Sequence, residues 1–381
     1  MYRRRLLEKT LSVTEKTFPV TVITGPRQSG KSTLLANYFR KRDHSFISLD
    51  DPSVRARIMD DPHGFLGGLS RPVVLDEIQY VPEIASYIKI YVDRDRKPGS
   101  WFLTGSQQFS VMKNVSDSLA GRAAILTLPT FQLKERNDVK MIEDFLAGSS
   151  YPEPAVNRKI DRRIWYSSYL QTYLERDIRA LLNITGMREF EQCLRLLAAR
   201  TAQELNYSAL AGQIGVSVPT VKRWVSALES SYIIYLLPPY YNNYGKRVIK
   251  SPKVYFYDIG LINYLLGIAD TATLLNGPLA GALFETAVVS EILKARFAGG
   301  VKPELYFWRS QGGLEVDILI VEKGKVFPCE IKLSSSIKPK FYENLLRWHE
   351  LSGQKGGALI TNSRDALPLP EGIRNIHWKE L

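Results

Sequence analysis

The stretch GPRQSGKST, residues 25–33, fits the pattern G-x-x-x-x-G-K-[ST] in full. It follows a short apolar run, FPVTVIT, and precedes a segment with helical spacing. Glycines in such a loop let successive backbone N–H groups converge on a β-phosphate, and the helix that follows adds the positive end of its dipole. We therefore predict a nucleotide-binding loop between a strand and a helix, and the alternative is a chance match in a turn.

Side chains in this loop and after a later strand have the types that ATP hydrolysis needs. Lys31 can reach the β- and γ-phosphates, and Ser32 can ligate Mg²⁺. The run RPVVLDE ends an apolar strand with Asp76, which can hold Mg²⁺ through water, and Glu77, which can polarise the attacking water. We predict ATP and Mg²⁺ as cofactors, with Lys31 and Glu77 as catalytic residues. A solvated turn is the alternative for the acidic pair.

Composition and charge set outer limits on the function. The chain has 381 residues, of which 45% are hydrophobic and 24% charged, so it is long enough for two or three domains with real cores. The net charge of +12 favours an anionic partner, most simply nucleic acid, and the alternative is charge that serves only solubility. No run approaches the ~18 apolar residues of a membrane span. Cys193 and Cys329 lie in apolar surroundings, so we expect buried free thiols in a cytoplasmic protein.

The order of apolar runs changes along the chain. Short apolar runs alternate with helix-compatible segments as far as residue 129, which favours a parallel sheet covered on both faces. Around residues 136–160 the sequence mixes charge, Gly, Ser and Pro, and we place a domain boundary there. Residues 161–240 repeat apolar residues at spacings of three and four, which is typical of helices, and short strands return from residue 246.

Six motifs together resemble a large bacterial and archaeal family of AAA+-like ATPases: GPRQSGKST, VVLDEIQ, FLTGS, SLAGR, GSSYPEP and YLERDI. The resemblance covers nearly the whole chain and implies the fold and the ATPase class, but no substrate. It implies that Thr104 senses the γ-phosphate, and that Arg122 is an arginine finger reaching the nucleotide of a neighbouring subunit. Relatives often have Gly-Gly-Tyr-Pro where this chain has GSSYP. The predicted nucleotide contacts are Gly25, Pro26, Arg27, Gln28, Ser29, Gly30, Lys31, Ser32, Thr33, Asp76 and Thr104.

Two of these assignments keep an alternative. Arg122 follows a helix end, so a surface arginine without a catalytic role is the other interpretation. In YLERDI, Arg176 or Arg179 could approach a nucleotide as a lid residue, and a structural ion pair is the other interpretation. The arginine-finger assignment carries a prediction that the active form is an oligomer.

The middle of the chain, YSALAGQIGVSVPTVKRWVSALESS, is typical of a helix, a tight turn and a second helix. Ser217 can cap the second helix, and Pro219 suits its first turn. The spacing of apolar residues turns Lys222 and Arg223 outward, as in a recognition helix that enters a DNA groove. The following segment resembles a winged-helix hairpin with a basic part. We predict DNA contacts at Lys222, Arg223, Lys246 and Arg247, and the alternative for this region is contact with protein.

The C-terminal segment carries a second phosphate-chemistry pattern. Asp317 lies in the apolar run EVDILIV, and Glu330 and Lys332 lie in VFPCEIK, where their spacing puts both on one side of a strand. An upstream helix adds Glu285. PD-(D/E)xK nucleases use such acids to hold Mg²⁺ and such a lysine to orient water or stabilise the transition state. We predict metal ligands at Glu285, Asp317 and Glu330 and a catalytic role for Lys332, while binding without cleavage stays open.

These patterns predict an α/β protein of three parts. They are a P-loop parallel-sheet ATPase domain at 1–140, a helical winged-helix region at 150–250 and a restriction-nuclease-like α/β domain at 251–381. We expect ATP hydrolysis to drive rearrangements of a DNA-bound oligomer, in repair or defence, with no membrane partner. The alternatives are a nucleotide-switched regulator that does not cut nucleic acid and an ATP-dependent adaptor for another protein.

Overall fold

The computed structural model describes residues 2–105, 118–173, 186–240, 251–310, 312–366 and 368–381. The chain forms two compact units. The first consists of Met1–Glu135, Ser230–Tyr232 and Lys294–Lys302, and the second of Arg136–Glu229, Ile233–Leu293 and Pro303–Leu381. The three-domain division at 1–140, 150–250 and 251–381 stays a prediction.

The first unit is built around a parallel sheet. Its elements are α1 (Leu7–Thr17), β1 (Val20–Thr24), α2 (Lys31–Phe39), β2 (Ser45–Ser48), α3 (Pro52–Asp60), α4 (Pro62–Gly67), β3 (Val73–Asp76), α5 (Ile84–Arg94), β4 (Trp101–Thr104) and β5 (Ala123–Thr127). The strands lie in the order β2-β3-β4-β1-β5, and every neighbouring pair is parallel. This confirms the α/β parallel-sheet fold predicted for the N-terminal part of the chain.

Helices cover both faces of this sheet because successive strand residues point to opposite sides. On one face Val22 and Leu75 pack with Ile88 of α5. On the other face Ile23 packs with Leu11 of α1 and Leu35 of α2. The strands β1, β3 and β4 are buried along their whole length, which is why each appears in the sequence as a short continuous apolar run.

The remaining elements follow in chain order. The helices are α6 (Ile142–Ala147), α7 (Pro152–Val156), α8 (Arg162–Tyr173), α9 (Met187–Ala199), α10 (Tyr207–Ile214), α11 (Val218–Ser230), α12 (Ile259–Leu266), α13 (Thr271–Asn276), α14 (Ala280–Ala298) and α15 (Glu343–Ser352). The strands are β6 (Gln203–Glu204), β7 (Ile234–Leu237), β8 (Lys253–Phe256), β9 (Leu305–Arg309), β10 (Glu315–Glu322), β11 (Lys325–Lys332), β12 (Gly357–Thr361) and β13 (Ile373–His377). Over the described part of the chain, no helix is both long and apolar enough to cross a membrane.

Two further sheets organise the second unit. A small antiparallel sheet has the order β6-β8-β7. A mixed sheet has the order β13-β12-β11-β10-β9, in which β9, β10 and β11 are antiparallel and β11, β12 and β13 are parallel. One side of the mixed sheet packs against α15 through Leu345 and Trp348.

The GSSYP segment anchors a buried aspartate. The carboxylate of Asp258 accepts hydrogen bonds from the backbone N–H and hydroxyl of Ser150, at 2.6 and 2.7 Å, and from the Tyr166 hydroxyl at 2.5 Å. It also caps α12 by accepting from the N–H of Leu261. A Cβ at Gly260 would lie 2.3 Å from the Tyr166 hydroxyl oxygen, so this position needs glycine. The segment therefore has a structural role in the second unit.

Candidate functional site

The loop after β1 has the backbone that its glycines predict. Gly25 has a φ of 139° and Gly30 a φ of 90°, and both values favour glycine. A Cβ at Gly25 would lie 2.2 Å from the carbonyl oxygen of Leu128. Gly30 is the residue before α2, so its left-handed conformation turns the loop into the helix that begins at Lys31. Of the other predicted contacts in the loop, Pro26 is buried, Arg27 half-buried and Gln28 exposed, and Thr33 is exposed on α2.

The lysine of this loop, Lys31, contacts the backbone of the loop itself. Lys31 is 5% exposed, and its Nζ donates hydrogen bonds to the carbonyl oxygens of Gly25 at 3.1 Å and Pro26 at 2.9 Å. The hydroxyl of Ser29 is buried without a hydrogen-bond partner in the described part of the chain. A buried polar atom without a partner is costly, so a ligand with acceptor oxygens suits this loop. The ammonium and the unsatisfied hydroxyl fit the phosphates of a nucleotide.

Three elements meet at the carboxylate of Asp76. Ser32 on α2 donates to Asp76 Oδ1 at 2.9 Å, and the hydroxyl of Thr104 at the end of β4 donates to the same oxygen. The backbone N–H of Glu77 in turn donates to Thr104 Oγ1 at 3.1 Å. Burial raises the pKa of Asp76, and the two hydroxyl hydrogen bonds oppose that rise. Hydroxyl and carboxylate oxygens side by side are the hard ligands that Mg²⁺ prefers, so the donor set fits this cation.

Glu77 follows β3 directly in an unusual conformation. Its φ of 58° is left-handed, which costs a residue with a Cβ about 1 kcal/mol or more. Its carboxylate accepts a hydrogen bond from the side chain of Gln79. The predicted water-activating residue is thus held beside Asp76 at the carboxyl edge of the sheet.

The C-terminal pattern forms a second charged cluster on β10 and β11. Asp317 Oδ2 accepts from the backbone N–H of Ile331 at 2.8 Å and from Lys332 Nζ at 3.0 Å. Lys332 Nζ also lies 2.6 Å from Glu330 Oε2. Both carboxylates are buried, at 7% and 0% exposure. The D…ExK residues are therefore brought together with the lysine between the two acids.

The third predicted acid, Glu285 on α14, has different partners. Its carboxylate accepts from the hydroxyl of Tyr255 at 2.6 Å and from Lys253 Nζ at 3.4 Å. Lys253 also lies 2.5 Å from Glu315. Sequence reasoning missed Lys253, Tyr255 and Glu315, because Lys253 stands directly before the apolar run of β8 and looks like an ordinary lysine at the start of a strand. The cluster contains the acids Glu285, Glu315, Asp317 and Glu330 and the cations Lys253 and Lys332.

Burial and charge act against each other in this cluster. Burial, with the charge of Asp317 second, raises the pKa of Glu285 to about 7 and that of Glu330 well above its usual value. Burial also acts to raise the pKa of Asp317, but Lys332 and Lys253 outweigh it and the pKa is lowered. Glu330 Oε1 is buried and accepts no hydrogen bond from the described residues.

The carboxylates of this cluster, as the structure describes them, are not arranged as a metal centre with three ligands. Among the side chains that the structure describes, no group of three or more His, Cys, Asp and Glu residues is arranged to hold a metal ion. Lysines occupy the places next to the carboxylates instead. The metal site at Glu285, Asp317 and Glu330 stays a prediction.

The basic residues of the predicted recognition helix are on its outer side. Asn206 caps α10, and Gly215 ends it in the left-handed conformation with a φ of 81°. On α11, Val221, Val225 and Leu228 are buried, whereas Lys222 and Arg223 are exposed. Lys222 Nζ lies 5.7 Å from the centre of the Tyr207 ring. Lys246 and Arg247, like Arg176 and Arg179, lie outside the described residues.

Comparisons with known proteins agree with the N-terminal geometry. Residues 17–137 match the family model described as an AAA domain. Residues 139–272 and 280–381 match two models described as domains of unknown function, DUF8612 and DUF4143. The uncharacterized proteins Rv2008c of Mycobacterium tuberculosis and Mb2031c of Mycobacterium bovis are each 30% identical to this chain over 84% of its length and 71% of theirs. The chain belongs to the family of these two mycobacterial proteins. Its N-terminal part is an AAA-type P-loop ATPase domain.

Solved structures with similar chains include proteins of Pyrococcus abyssi and Thermotoga maritima. The Walker-type ATPase PABY2304 of Pyrococcus abyssi is 14% identical, covers 70% of this chain and 96% of its own, and has a TM-score of 0.48. The RuvB Holliday junction branch migration motor of Thermotoga maritima is 17% identical, covers 61% and 89%, and has a TM-score of 0.31. Likenesses at this level carry no argument about function.

Sequence reasoning missed a buried ion pair behind the phosphate loop of the AAA domain. Arg5 is 4% exposed, and its Nη1 donates to the carbonyl of Ser29 at 2.7 Å. Its Nε donates to Glu135 at 3.1 Å, and its Nη2 donates to the carbonyl of Pro129 at 2.7 Å. Arg5 therefore links the N-terminal segment, the phosphate loop and the segment after β5. No signal marks the pair, because its members lie 130 residues apart.

Arg122 stands immediately before β5. Its Nε donates to Asp93 at 2.6 Å, and its side chain is 26% exposed. Ala123 pairs with Val20, the first residue of β1, so Arg122 lies at the amino edge of the AAA-domain sheet. The phosphate loop follows Thr24 at the carboxyl edge. Arg122 is therefore far from the phosphate loop of its own chain, and its role in the nucleotide site of a neighbour stays a prediction.

Proposed function

We propose that this chain is a Mg²⁺-dependent ATPase that assembles with copies of itself on DNA. The observation that carries the ATPase proposal is the hydrogen-bond network of Ser32, Asp76 and Thr104 beside Lys31. Ser32 and Asp76 would hold the Mg²⁺, which would supply charge neutralisation at the phosphates when bound. Lys31 would exchange its two carbonyl partners for phosphate oxygens. Glu77 would accept a hydrogen bond from the attacking water and so orient it.

Two observations support the assembly and the DNA partner. Arg122 lies at the sheet edge opposite the phosphate loop, so a role for it at a nucleotide needs a second subunit. Lys222 and Arg223 are exposed beside each other on α11, and the chain carries a net charge of +12. Exposed basic side chains on the second helix of such a pair suit contact with DNA phosphates.

Replacement of Glu77 tests the ATPase proposal. We expect Glu77→Gln to keep ATP binding and to lose about 100-fold in turnover, because a general base contributes about that much or more. Turnover would be measured by phosphate release and binding by titration with a fluorescent ATP analogue. Glu83→Gln is the matched control, since Glu83 is an exposed acid at the start of α5 that makes no capping hydrogen bond. Equal turnover in Glu77→Gln and wild type would remove Glu77 from the reaction.

A second function is favoured by the buried oxygen of Glu330. Glu330 Oε1 accepts no hydrogen bond from the described residues, and the cluster around it has four acids for two lysines. Arg309 lies 3.8 Å from Glu315 and 2.8 Å from Glu204, so the connected network has five acids and three cations. If all were ionised, the difference would be 5 − 3 = 2 negative charges in excess, and a divalent cation would balance it. We propose that Asp317 and Glu330 hold Mg²⁺ or Mn²⁺, with Glu285 nearby and Lys332 at a scissile phosphate. A nuclease role in repair or defence would follow.

Calorimetric titration of the full chain with Mn²⁺ tests this second site. The titration would be made on Asp76→Asn, which removes a cation ligand of the ATPase domain, and on the same protein with Asp317→Asn or Glu330→Gln added. We expect one binding event in Asp76→Asn and its loss in both double variants. Equal heats in all three proteins would rule out the site.

Incubation with labelled single-stranded, duplex and branched DNA distinguishes a nuclease from a regulator that binds metal without cutting DNA. Cleavage that needs Mn²⁺ and Glu330 supports a nuclease. Metal binding without cleavage of any of the three substrates would instead support a nucleotide-switched regulator.

A further inference from the structure

An open cavity lies at the amino edge of the AAA-domain sheet. Its volume is about 460 Å³, and it is lined by Glu15, Lys16, Arg42, Arg71, Pro72, Lys97, Pro98, Gly99 and Ser100. Pro72 precedes β3 and Ser100 precedes β4, so the cavity lies where strands of the parallel sheet begin. The phosphate loop follows the end of β1. The cavity is therefore separate from the ATP site, and none of the residues that line it belongs to α11.

The lining of this cavity is strongly basic. It contains four cations and one acid. Glu15 accepts a hydrogen bond from Arg42 at 2.5 Å and one from the hydroxyl of Tyr38 at 2.6 Å, so its charge is compensated by Arg42. Lys16 and Lys97 are exposed, and neither has an ion-pair partner among the described residues. Three positive charges of the lining are left without a counter-charge from the lining itself.

Two of the cations are fixed in place by aromatic rings. The guanidinium carbon of Arg71 lies 3.8 Å from the centre of the Trp101 ring, and its Nη1 donates to the carbonyls of Leu66 and Leu69. The guanidinium of Arg42 lies 4.4 Å from the centre of the Phe39 ring. A stacked guanidinium is preorganised for phosphate oxygens, and flexible lysines beside it add point charges.

We propose that this cavity binds the phosphodiester backbone of a nucleic acid. Its openness suits an extended polyanion, and the net charge of +12 favours such a partner. Lys16 and Lys97 each contact a backbone phosphate, and Arg71 supplies a fixed donor in the same lining. This contact goes beyond the proposed DNA contact at α11, because it lies on a different element and in the ATPase domain. Through this cavity the ATPase domain contacts the nucleic acid directly.

The test compares three double variants of the full chain. Binding of a labelled 20-base-pair duplex would be followed by fluorescence anisotropy between 50 and 200 mM salt. We expect Lys16→Ala with Lys97→Ala to lower the slope of log affinity against log salt by about 1.8, since each lost phosphate contact removes about 0.9. Lys89→Ala with Lys134→Ala is the matched control, because both lysines are exposed in the first unit and lie outside the cavity. Lys222→Ala with Arg223→Ala reports separately on α11.

Each outcome decides the proposal. A reduced slope in the cavity variant, with an unchanged slope in the control, supports it. An unchanged slope in the cavity variant overturns it, and a reduced slope in the α11 variant alone would leave the proposed DNA contact at α11 intact. Equal losses in the cavity variant and the control overturn it as well, because they show a general effect of charge. Inorganic phosphate and poly-glutamate would be tested as competitors. If either binds through Lys16 and Lys97 as tightly as the duplex, the proposal of nucleic acid is overturned, and the ligand of the cavity is a small anion or an acidic protein.

Discussion

The two clusters that the sequence predicts to carry phosphate chemistry differ in how their charges are satisfied. In the AAA domain, Lys31 donates to two backbone carbonyls and Asp76 accepts from two hydroxyls. In the C-terminal cluster, Lys332 lies against the carboxylates of both Asp317 and Glu330. Neutral partners can be exchanged for phosphates and a cation at small cost, whereas a buried ion pair is costly to separate. The ATPase site can therefore exchange its present partners for a ligand at small cost. In the C-terminal cluster, the ammonium of Lys332 already pairs with the two carboxylates.

The deeply buried ion pair of Arg5 with Glu135 sharpens this contrast because it lies behind the phosphate loop. We expect Arg5→Met to lower the free energy of unfolding by about 3–5 kcal/mol, since Glu135 would stay buried without a cation. The phosphate loop would also lose a donor to Ser29, so ATP turnover should fall in the protein that remains folded. Urea unfolding and phosphate release would measure the two effects.

A double-mutant cycle with Glu135→Gln is the control for this prediction. If Arg5 acts through the ion pair, the double variant should recover part of the stability lost in Arg5→Met. Arg5→Lys should recover charge but not the fork of donors, because Nε, Nη1 and Nη2 of Arg5 each serve a different partner, whereas lysine carries all its donors on one nitrogen. Stability of Arg5→Met within about 0.5 kcal/mol of wild type would contradict the account.

A smaller effect is expected when the cation of the C-terminal cluster is removed. Lys332→Met should lower the free energy of unfolding by about 2–3 kcal/mol, less than for a fully buried pair because 34% of the Lys332 side chain is exposed. Mn²⁺ should then stabilise Lys332→Met more than wild type, since it would replace the lost positive charge. Thermal unfolding with and without Mn²⁺ would measure both.

The matched control is Lys325→Met, an exposed position on the same strand. It should change stability by no more than about 0.5 kcal/mol. If Lys332→Met is as stable as this control, the lysine is not what neutralises the buried acids. If Mn²⁺ stabilises Lys332→Met no more than wild type, the cluster is an ion-pair network and not a cation site.

The sequence predicted the parts of the fold that depend on local pattern. The phosphate loop, Asp76 and Glu77 each follow or precede a continuous apolar run, and parallel strands bring their carboxyl ends to one edge. Asp317, Glu330 and Lys332 were predicted to meet on one side of a strand pair for a different local reason, because residues two apart in a strand face the same side.

Contacts between distant segments could not be predicted in this way. Arg5 appears in the sequence as one of several basic residues near the start, and nothing local connects it with Glu135. Lys253 and Tyr255 lie on β8, outside the D…ExK pattern, yet both reach Glu285. The pattern therefore predicted which acids lie together but not which cations and donors would satisfy them.

ATP turnover of Asp76→Asn tests the central claim most directly, because Asp76 joins Ser32 and Thr104 at the predicted cation position. Asparagine keeps the size of the side chain and an acceptor oxygen but removes the charge that would hold Mg²⁺. Asp43→Asn, at an exposed aspartate of the same unit, is the control. The account predicts on the order of a 100-fold loss of Mg²⁺-dependent turnover in Asp76→Asn, which corresponds to about 2.7 kcal/mol of lost stabilisation, and none in Asp43→Asn. Turnover in Asp76→Asn within twofold of the control would contradict the assignment of ATP chemistry to this site.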